Sequence, residues 1–575
     1  MNFLHRPQII SIRAACIIPL LALLVVPFNS PAACAQLRIV TYNPTGAPAT
    51  GIDVVLKSIG EELRNGIAKP IDVLLLQEQA NPSPGASNPS PDTQQFVTLL
   101  NNLYNNAGIT YAMSNRTGGG DTTQTLVYRT QTVQLIGDAA IGTISAVGAP
   151  RQPVRFQLRP VGYDSSADFY IYNSHYKASA AIDDPAAPGR RNVEATSIRT
   201  SSNALGEGAH VIYAGDHNFY DFDSDEPAWG TLTASGAGQA NDPISQVGTW
   251  HNNSSFAAVH TQSPCTSSTG NCFVTGGMDD RFDFQLTTGE FLDGEGLSYI
   301  GPIPGVPEMS ALTHSYHAFG NNGTSFNKDI VTGNTVTFPG VSSYTKSQIL
   351  TAIRAATDHI PVVADYQLPA VMNVVAGTVP TVLDVGQAFN LSVTVNNSAN
   401  VVAAIGADEL NYSLTSSGNV SGSFLNQIDQ ALGGSNVHSI AFDTATIGMK
   451  TGLVTVMSSS QGVQNGTFSL PISYLVVLPG DYDGNAIVDA ADYVVWRETQ
   501  GTTVAAGTGA DGDRNGLVDE SDYGVWRTHF GASAAGAGST LAATVPEPSV
   551  LALLMIGVCL GGRRRTKLRA CSRTT

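Results

Sequence analysis

The chain has 575 residues, with 46 Asp and Glu against 29 Lys and Arg, a formal net charge of -17, and only 13% charged residues beside 58 glycines and 30 prolines. That length allows several domains rather than one. The acidic balance excludes bulk electrostatic attraction to polyanions, so any contact with nucleic acid must be made by metal ions and a local basic patch.

Residues 1–35 carry a basic start (His5, Arg6, Arg13), an apolar core from Ala14 to Phe28, and Ala33-Cys34-Ala35 before Gln36. This is the layout of a secretory signal with an A-x-A cleavage site, which makes Gln36 the expected first residue of the mature chain. Cys34 also admits a lipoprotein reading, although "SPAAC" is a poor lipobox.

From Gln36 to about Pro369, short β-branched apolar runs alternate with helix-like segments, for example "LRIVTYN" before "VVLKSIGEEL". The alternation suits a layered α/β domain over residues 36–369. Within it, apolar runs repeatedly end in polar, chemically capable residues. "LRIVTYN" ends on Asn43, "IDVLLLQEQ" carries Glu78, "DFYIYNSHYK" carries His175, and "HVIYAGDHN" ends on Asp216, His217 and Asn218. "RFDFQL" offers Asp283, and "ATDHIPVVADY" offers Asp358 and His359. Each taken alone has a plain explanation, a turn or a solvated strand end. In an extended chain, however, Asp216 and Asn218 point to one side and are expected to share a target.

Taken in order, strand-Asn, LQE, HxK, GDxN, R-x-D and DHxP, these motifs resemble the endonuclease/exonuclease/phosphatase superfamily, the fold shared by DNase I-like nucleases, inositol-phosphate phosphatases and bacterial sphingomyelinases. The resemblance runs from Leu37 to about Tyr366. It implies a four-layer α/β sandwich, two packed, mostly antiparallel sheets flanked by helices, with the site at one rim. It further implies Glu78 as the principal ligand of Mg²⁺ or Mn²⁺, with Asn43 and Asp358 completing or supporting the metal site. Asp216 and Asn218 would position the attacking water and the phosphate, His359 would pair with Asp283, and His175 would face the phosphate. Arg151, in "PRQPVRF", matches an R-x-P that helps hold phosphate in nuclease members. Three departures stand out: His217 inside GDxN, where an apolar or aromatic residue is usual and which either adds a ligand or fills space; Thr357 in place of Ser before Asp-His; and Asp279 and Asp280, which compete with Asp283 for its role.

The chemistry of phosphate-ester hydrolysis asks for such a set. Charge spreads over the phosphoryl oxygens, so catalysis is mostly positioning and neutralisation, supplied by a metal ion, imidazolium and a carboxylate that takes the proton of water. Residues 36–369 hold 17 Lys and Arg against 30 Asp and Glu. An extracellular nuclease acting on phosphodiesters is the leading expectation. Phosphatase or sphingomyelinase-type hydrolysis, a non-catalytic display protein and a glycan-degrading component are the alternatives.

Two cysteines lie in the signal and two in the tail, leaving Cys265 and Cys272 in the body. In an oxidising compartment "CTSSTGNC" most simply closes a small loop as a disulfide; a metal site would need more soft ligands nearby.

From residue 371 to 478 charge nearly vanishes and Val, Thr, Ser, Asn and Gly alternate, which predicts a β-sandwich of immunoglobulin-like kind acting as spacer or binding module. Then "DYDGNAIVDAADYVVWR" and "DGDRNGLVDESDYGVWR" repeat at a spacing of 30. They offer oxygen ligands at loop positions 1, 3, 5, 9 and 12: Asp481, Asp483, Asn485, Asp489 and Asp492, then Asp511, Asp513, Asn515, Asp519 and Asp522. Hard oxygen donors at this cadence suit Ca²⁺, the plain alternative being an acidic surface repeat. Residues 479–531 resemble a type I dockerin, which implies a small α-helical module with two Ca²⁺ and a cohesin partner. Residues 532–575 contain a small-residue linker, Pro546-Glu547-Pro548, an apolar run from Val550 to Leu560, and Arg563 to Arg565. This resembles a PEP-CTERM sorting signal and implies transient membrane insertion, then cell-surface or extracellular release; a plain C-terminal anchor is the alternative.

Overall fold

A computed structural model describes residues 36–82, 88–120, 122–143, 151–220, 226–268 and 270–534. The expected signal segment and the sorting segment from residue 535 onward lie outside the described residues. Among the described residues no helix is long and apolar enough to cross a membrane.

The first unit is built on two sheets. Its elements are β1 (Gln36–Tyr42), α1 (Ile52–Glu61), β2 (Val73–Ala80), α2 (Pro91–Leu103), β3 (Tyr111–Met113), β4 (Thr122–Arg129), β5 (Val133–Ala140), β6 (Val154–Pro160), β7 (Phe169–His175), α3 (Ala187–Asn203), β8 (His210–Asp216), α4 (Pro227–Thr233), β9 (Asp283–Thr287), β10 (His317–Ala318), α5 (Lys346–Ala356) and β11 (Val362–Gln367). One sheet runs β10-β11-β1-β2-β4-β3 and the other β5-β6-β7-β8-β9. In each sheet a single parallel pair, β1 with β2 and β7 with β8, sits among antiparallel neighbours.

The strands read as continuous apolar runs because both of their faces are covered. Ile39, Val73, Leu75 and Leu126 of the first sheet meet Phe156, Ile171, Ile212 and Ala214 of the second in one buried core. The outer faces take helices. Ile52, Val55, Leu56 and Ile59 recur at helical spacing on α1 and pack with α2 and α5 on the first sheet. α3 and α4 cover the second sheet around Tyr213, Trp229 and Phe284. The result is helix, sheet, sheet, helix, an α/β sandwich of four layers.

Residues 372–477 form two further sheets, of four and five strands, around a shared core that includes Val393, Ile440, Leu414, Val456 and Tyr474. They are packed on the first unit: Leu368 bridges Ala407, and Asp164 N donates to Gln464 Oε1 at 2.9 Å. The last described unit carries two loop–helix repeats, with helices α6 (Ala490–Thr499) and α7 (Glu520–His529). The repeats are tied reciprocally, Trp496 Nε1 donating to Asp519 O at 2.7 Å and Trp526 Nε1 to Asp489 O at 2.8 Å.

Candidate active site

The topology brings six chain segments to one rim. β1, β2, β7 and β8 end there, so Asn43, Glu78, His175 and Asp216 arrive at their C-terminal ends. β9 and β11 run antiparallel to β8 and β1, so they begin at the same rim, with Asp283 at the start of β9 and Asp358-His359 just before β11. Register does the rest: His175 stands opposite Asp216, and Asp216 opposite Asp283.

Glu78 reaches the rim through a break in its strand. The pairing of β2 with β4 shifts between Leu76 and Gln79, and Glu78 has φ 53°, a left-handed conformation that costs a non-glycine residue roughly 1–2 kcal/mol. Its side chain is 29% exposed, against 2% for His175 and Asp216, so it marks the open side of the site. Beneath it, Gln77 Nε2 donates to Asn173 Oδ1 at 2.7 Å, and Asn173 Nδ2 donates to Leu76 O and Thr125 O, which locks the two sheets together under the bulge.

Asp216 is the hub. Asn43 Nδ2 donates to Asp216 Oδ2 at 3.1 Å and to Glu78 Oε1 at 3.2 Å. His175 Nε2 lies 3.4 Å from Asp216 Oδ2 and 3.5 Å from Glu78 Oε1, and His359 Nε2 lies 3.7 Å from Asp216 Oδ2. Asn218, with φ 50°, turns back so that its Nδ2 donates to Asp216 Oδ1 at 2.7 Å and to Tyr176 O at 3.1 Å. The expectation that Asp216 and Asn218 share a target is thereby refined: Asn218 holds Asp216 itself. Burial pushes the Asp216 carboxyl up to about 7, with Asp283 and Glu78 adding to the rise and His359 opposing it.

The two histidines are set apart by their surroundings. Burial drives His175 well below the usual histidine range, reinforced by Arg151, His359 and Lys177, and leaves it neutral. Its Nδ1 is buried without a partner, so Nε2 carries the proton that faces the carboxylates. Burial also disfavours a charged His359, but Asp283 and Asp216 outweigh it and hold the ring well above its usual range. Nδ1 of His359 donates to Asp283 Oδ2 at 2.8 Å. The carboxamide of Gln262 closes on His359 Nε2 at 2.7 Å and serves either protonation state by presenting its N–H or its oxygen.

The remaining residues named from sequence take definite places. Asp358 is fully engaged: Thr45 and Thr357 donate to Oδ1, and Val274 N donates to Oδ2 at 2.9 Å. It stands behind the rim, where Thr357 keeps the hydroxyl. Arg151 Nη1 donates to Tyr176 O at 2.8 Å, beside His175. His217 fills space: its ring packs 4.9 Å from Tyr176 and 5.2 Å from Phe219, and burial lowers it to about 4. Asp283 is the acid that meets His359 Nδ1, whereas Asp280 pairs with His251. Cys265 and Cys272 are bonded to each other, with Cα atoms 6.4 Å apart, in the loop that joins Gln262 to Val274. Gln262, Thr45 and Val274 carry no strand-end pattern; only their neighbours in space reveal them.

The donor set fits a hard divalent ion. The Glu78 carboxyl faces the open side and has no Lys or Arg partner among the described ion pairs, and Asn43 Nδ2 stands 3.2 Å away. Tighter acidic groups occur elsewhere. Among the described residues, the only triads of ligand atoms within 4.8 Å of one another are Asp481, Asp483 and Asp492, and Asp511, Asp513 and Asp522. In both loops the carboxylates are turned inward and held by main-chain N–H groups, Asp481 by Gly484, Asn485 and Ala486, and Asp511 by Asn515 and Gly516.

No family model matches the chain, and no curated protein matches it. Among solved structures it is similar to D. rerio TDP2 complexed with single-strand DNA product, at 16% identity over 58% of this chain and 99% of that one, with TM-score 0.32. It is similar to an endonuclease/exonuclease/phosphatase family protein from Bacteroides thetaiotaomicron at 14% identity, over 58% and 95% of the two chains, with TM-score 0.29. The human Nocturnin catalytic domain with bound sulfate follows at 12% identity, 58% and 96% coverage, and TM-score 0.29.

Proposed function

We propose that residues 36–369 form a divalent-metal-dependent phosphoric ester hydrolase of endonuclease/exonuclease/phosphatase type, acting on phosphodiesters of nucleic acid outside the cytoplasm. The observation that carries this reading is the convergence on Asp216 of Asn43, His175, Asn218 and His359, with Glu78 and Asp283 one contact further out. A merely structural rim has no reason to bury a carboxylate among two histidines and two carboxamides.

Glu78 would hold the Mg²⁺ or Mn²⁺, with Asn43 orienting it and Asp358 supporting from behind. When bound, the ion supplies charge neutralisation at a phosphoryl oxygen. The chain's own groups do the rest. Asp216, whose carboxyl is raised to about 7, accepts the proton of the attacking water near neutral pH, and Asn218 fixes its orientation. His359, charged and anchored by Asp283, faces negative charge that builds on the phosphate. His175 donates its Nε2 proton toward the carboxylates or a phosphate oxygen, and Arg151 adds positive charge beside it.

The repeats at 479–531 are read as a dockerin with two Ca²⁺ and a cohesin-type partner, supported by the two inward-turned carboxylate triads. The sheets of 372–477 serve as spacer. Export and surface sorting rest on the sequence of the two ends. The test is a Mg²⁺-dependent screen of the full chain against DNA, RNA, bis-nitrophenyl phosphate and sphingomyelin. Hydrolysis of the nucleic acids and the diester is expected; turnover of sphingomyelin alone would move the substrate to phospholipid, and turnover of none would remove the enzyme reading.

A further inference from the structure

The loop closed by Cys265 and Cys272 carries an aromatic ring that the catalytic reading does not use. The two ends of the loop are clamped together, Ser263 N donating to Gly277 O at 2.8 Å and Gly277 N to Cys265 O at 3.1 Å. Ser263 Oγ donates to Val274 O at 2.8 Å, and Val274 N donates to Asp358 Oδ2 at 2.9 Å. Gly277 has φ 93°, and a Cβ there would lie 2.4 Å from Lys328 N, so the returning strand of the loop is seated tightly on the chain beside it. Between the disulfide and this clamp stands Phe273, 64% exposed and the most exposed aromatic side chain among the described residues, with Val274 next to it at 45%. Asp358 connects the loop to the site. Its Oδ1 accepts from Thr45 Oγ1 at 3.3 Å, Thr45 N donates to Asn43 Oδ1 at 3.2 Å, and Asn43 Nδ2 donates to Glu78.

An isolated apolar side chain on a free surface needs no explanation. A ring on a backbone that is cross-linked, clamped and hydrogen-bonded to the residue before His359 is a different case, because a rigid ring receives a flat ligand at little further cost in entropy. From Cys265 to Met278 the loop has no charged residue, so it offers phosphate no counter-charge and offers a planar group an apolar face. We propose that Phe273 is the platform on which a base next to the scissile phosphate stacks, and that the substrate is a single strand. Bases of a duplex are already stacked on both sides, whereas those of a single strand are free to leave their neighbours for an aromatic ring. Such stacking tolerates any sequence, since every base has a π-face, and it does not need the positive field that this acidic chain lacks. The inference rests on the phosphodiesterase reading of the rim and adds to it a determinant of substrate class.

The test uses the full chain with Mg²⁺ and two single-stranded DNA oligomers of equal length, one with ordinary bases and one in which every sugar is a tetrahydrofuran abasic analogue. On the strand with bases, kcat/KM is expected to fall about tenfold or more in Phe273→Ala, the worth of one base on an aromatic ring, and to return in Phe273→Trp. On the abasic strand the three proteins are expected to agree. The wild type is also expected to prefer the strand with bases to the same sequence as a duplex, and Phe273→Ala to lose most of that preference. An equal loss on both single strands would make Phe273 a prop for the rim, and no loss on either would make it idle; both outcomes overturn the proposal while the phosphodiesterase reading stands. A wild type that hydrolyses neither strand would remove that reading, and the platform with it.

Discussion

His359 Nδ1 lies 2.8 Å from Asp283 Oδ2, and Asp283 stands directly across the β8/β9 ladder from Asp216, whose Oδ2 is 3.7 Å from the other nitrogen of the same ring. One imidazole therefore links the acid that fixes it to the acid proposed to take the proton of water. Asp283→Asn removes the charge that keeps His359 protonated while preserving the shape of the strand start. Turnover is expected to fall by about 10²–10⁴-fold with the fold intact, checked by steady-state kinetics beside a thermal melt.

Arg38 tests the scaffold under the site. It is 1% exposed, and its guanidinium pairs with Asp365 at 2.8 Å and donates to Ile59 O and Glu62 O, tying β1 to β11 and to the end of α1. Arg38→Met leaves Asp365 buried without its charge partner. A loss of about 3–5 kcal/mol in denaturant unfolding is expected.

Acid stability should depend on Glu62. Burial alone would raise this carboxyl, but His317, whose Nε2 lies 2.8 Å away, together with Arg64 and Arg38 holds it down at about 2. A depressed carboxyl contributes stability above its unfolded value near 4.5, and that contribution is lost as pH falls from there through 2. Glu62→Gln is expected to cost roughly 3 kcal/mol at neutral pH and almost nothing at the acid end of this window, read from denaturant midpoints across pH.

The C-terminal loops exchange residues at two left-handed positions, and at the first Gly484 (φ 77°) stands where the second loop has Arg514 (φ 65°). Ala486 has φ 70° where the second loop has Gly516 at φ 85°. An alanine there carries a steric cost of about 1 kcal/mol that glycine avoids. Ala486→Gly should slow hydrogen exchange through 481–499 in calcium, by about fivefold or more.

Removing calcium should act on the same unit. The triads place carboxylate oxygens within 4.8 Å of one another, and a bound cation offsets the repulsion that their main-chain N–H donors leave. Chelation is expected to raise exchange across α6 and α7 and to leave the β1/β11 core unchanged.

The residues legible in sequence are those that interrupt an apolar run. Asn43, Glu78, His175 and Asp216 each stand where a strand covered on both faces stops, and a strand end fixes which rim they reach. What the sequence hides comes from backbone turns and from loops. The bulge that lifts Glu78 and the left-handed turn that folds Asn218 back on Asp216 involve no glycine or proline at the residue itself. Gln262 and Val274 meet His359 and Asp358 only because the loop closed by Cys265 and Cys272 returns to the site.

The proposed metal chemistry turns on Glu78, whose side chain is 29% exposed on the open side of the rim. The most direct measurement is the Mg²⁺ dependence of bis-nitrophenyl phosphate hydrolysis by the full chain and by Glu78→Gln, which keeps the side-chain volume and loses the charge. The wild type should show saturable activation by Mg²⁺, and the variant should lose it by about 10²-fold or more while melting as the wild type does. Equal, Mg²⁺-activated turnover in the two proteins would contradict the assignment.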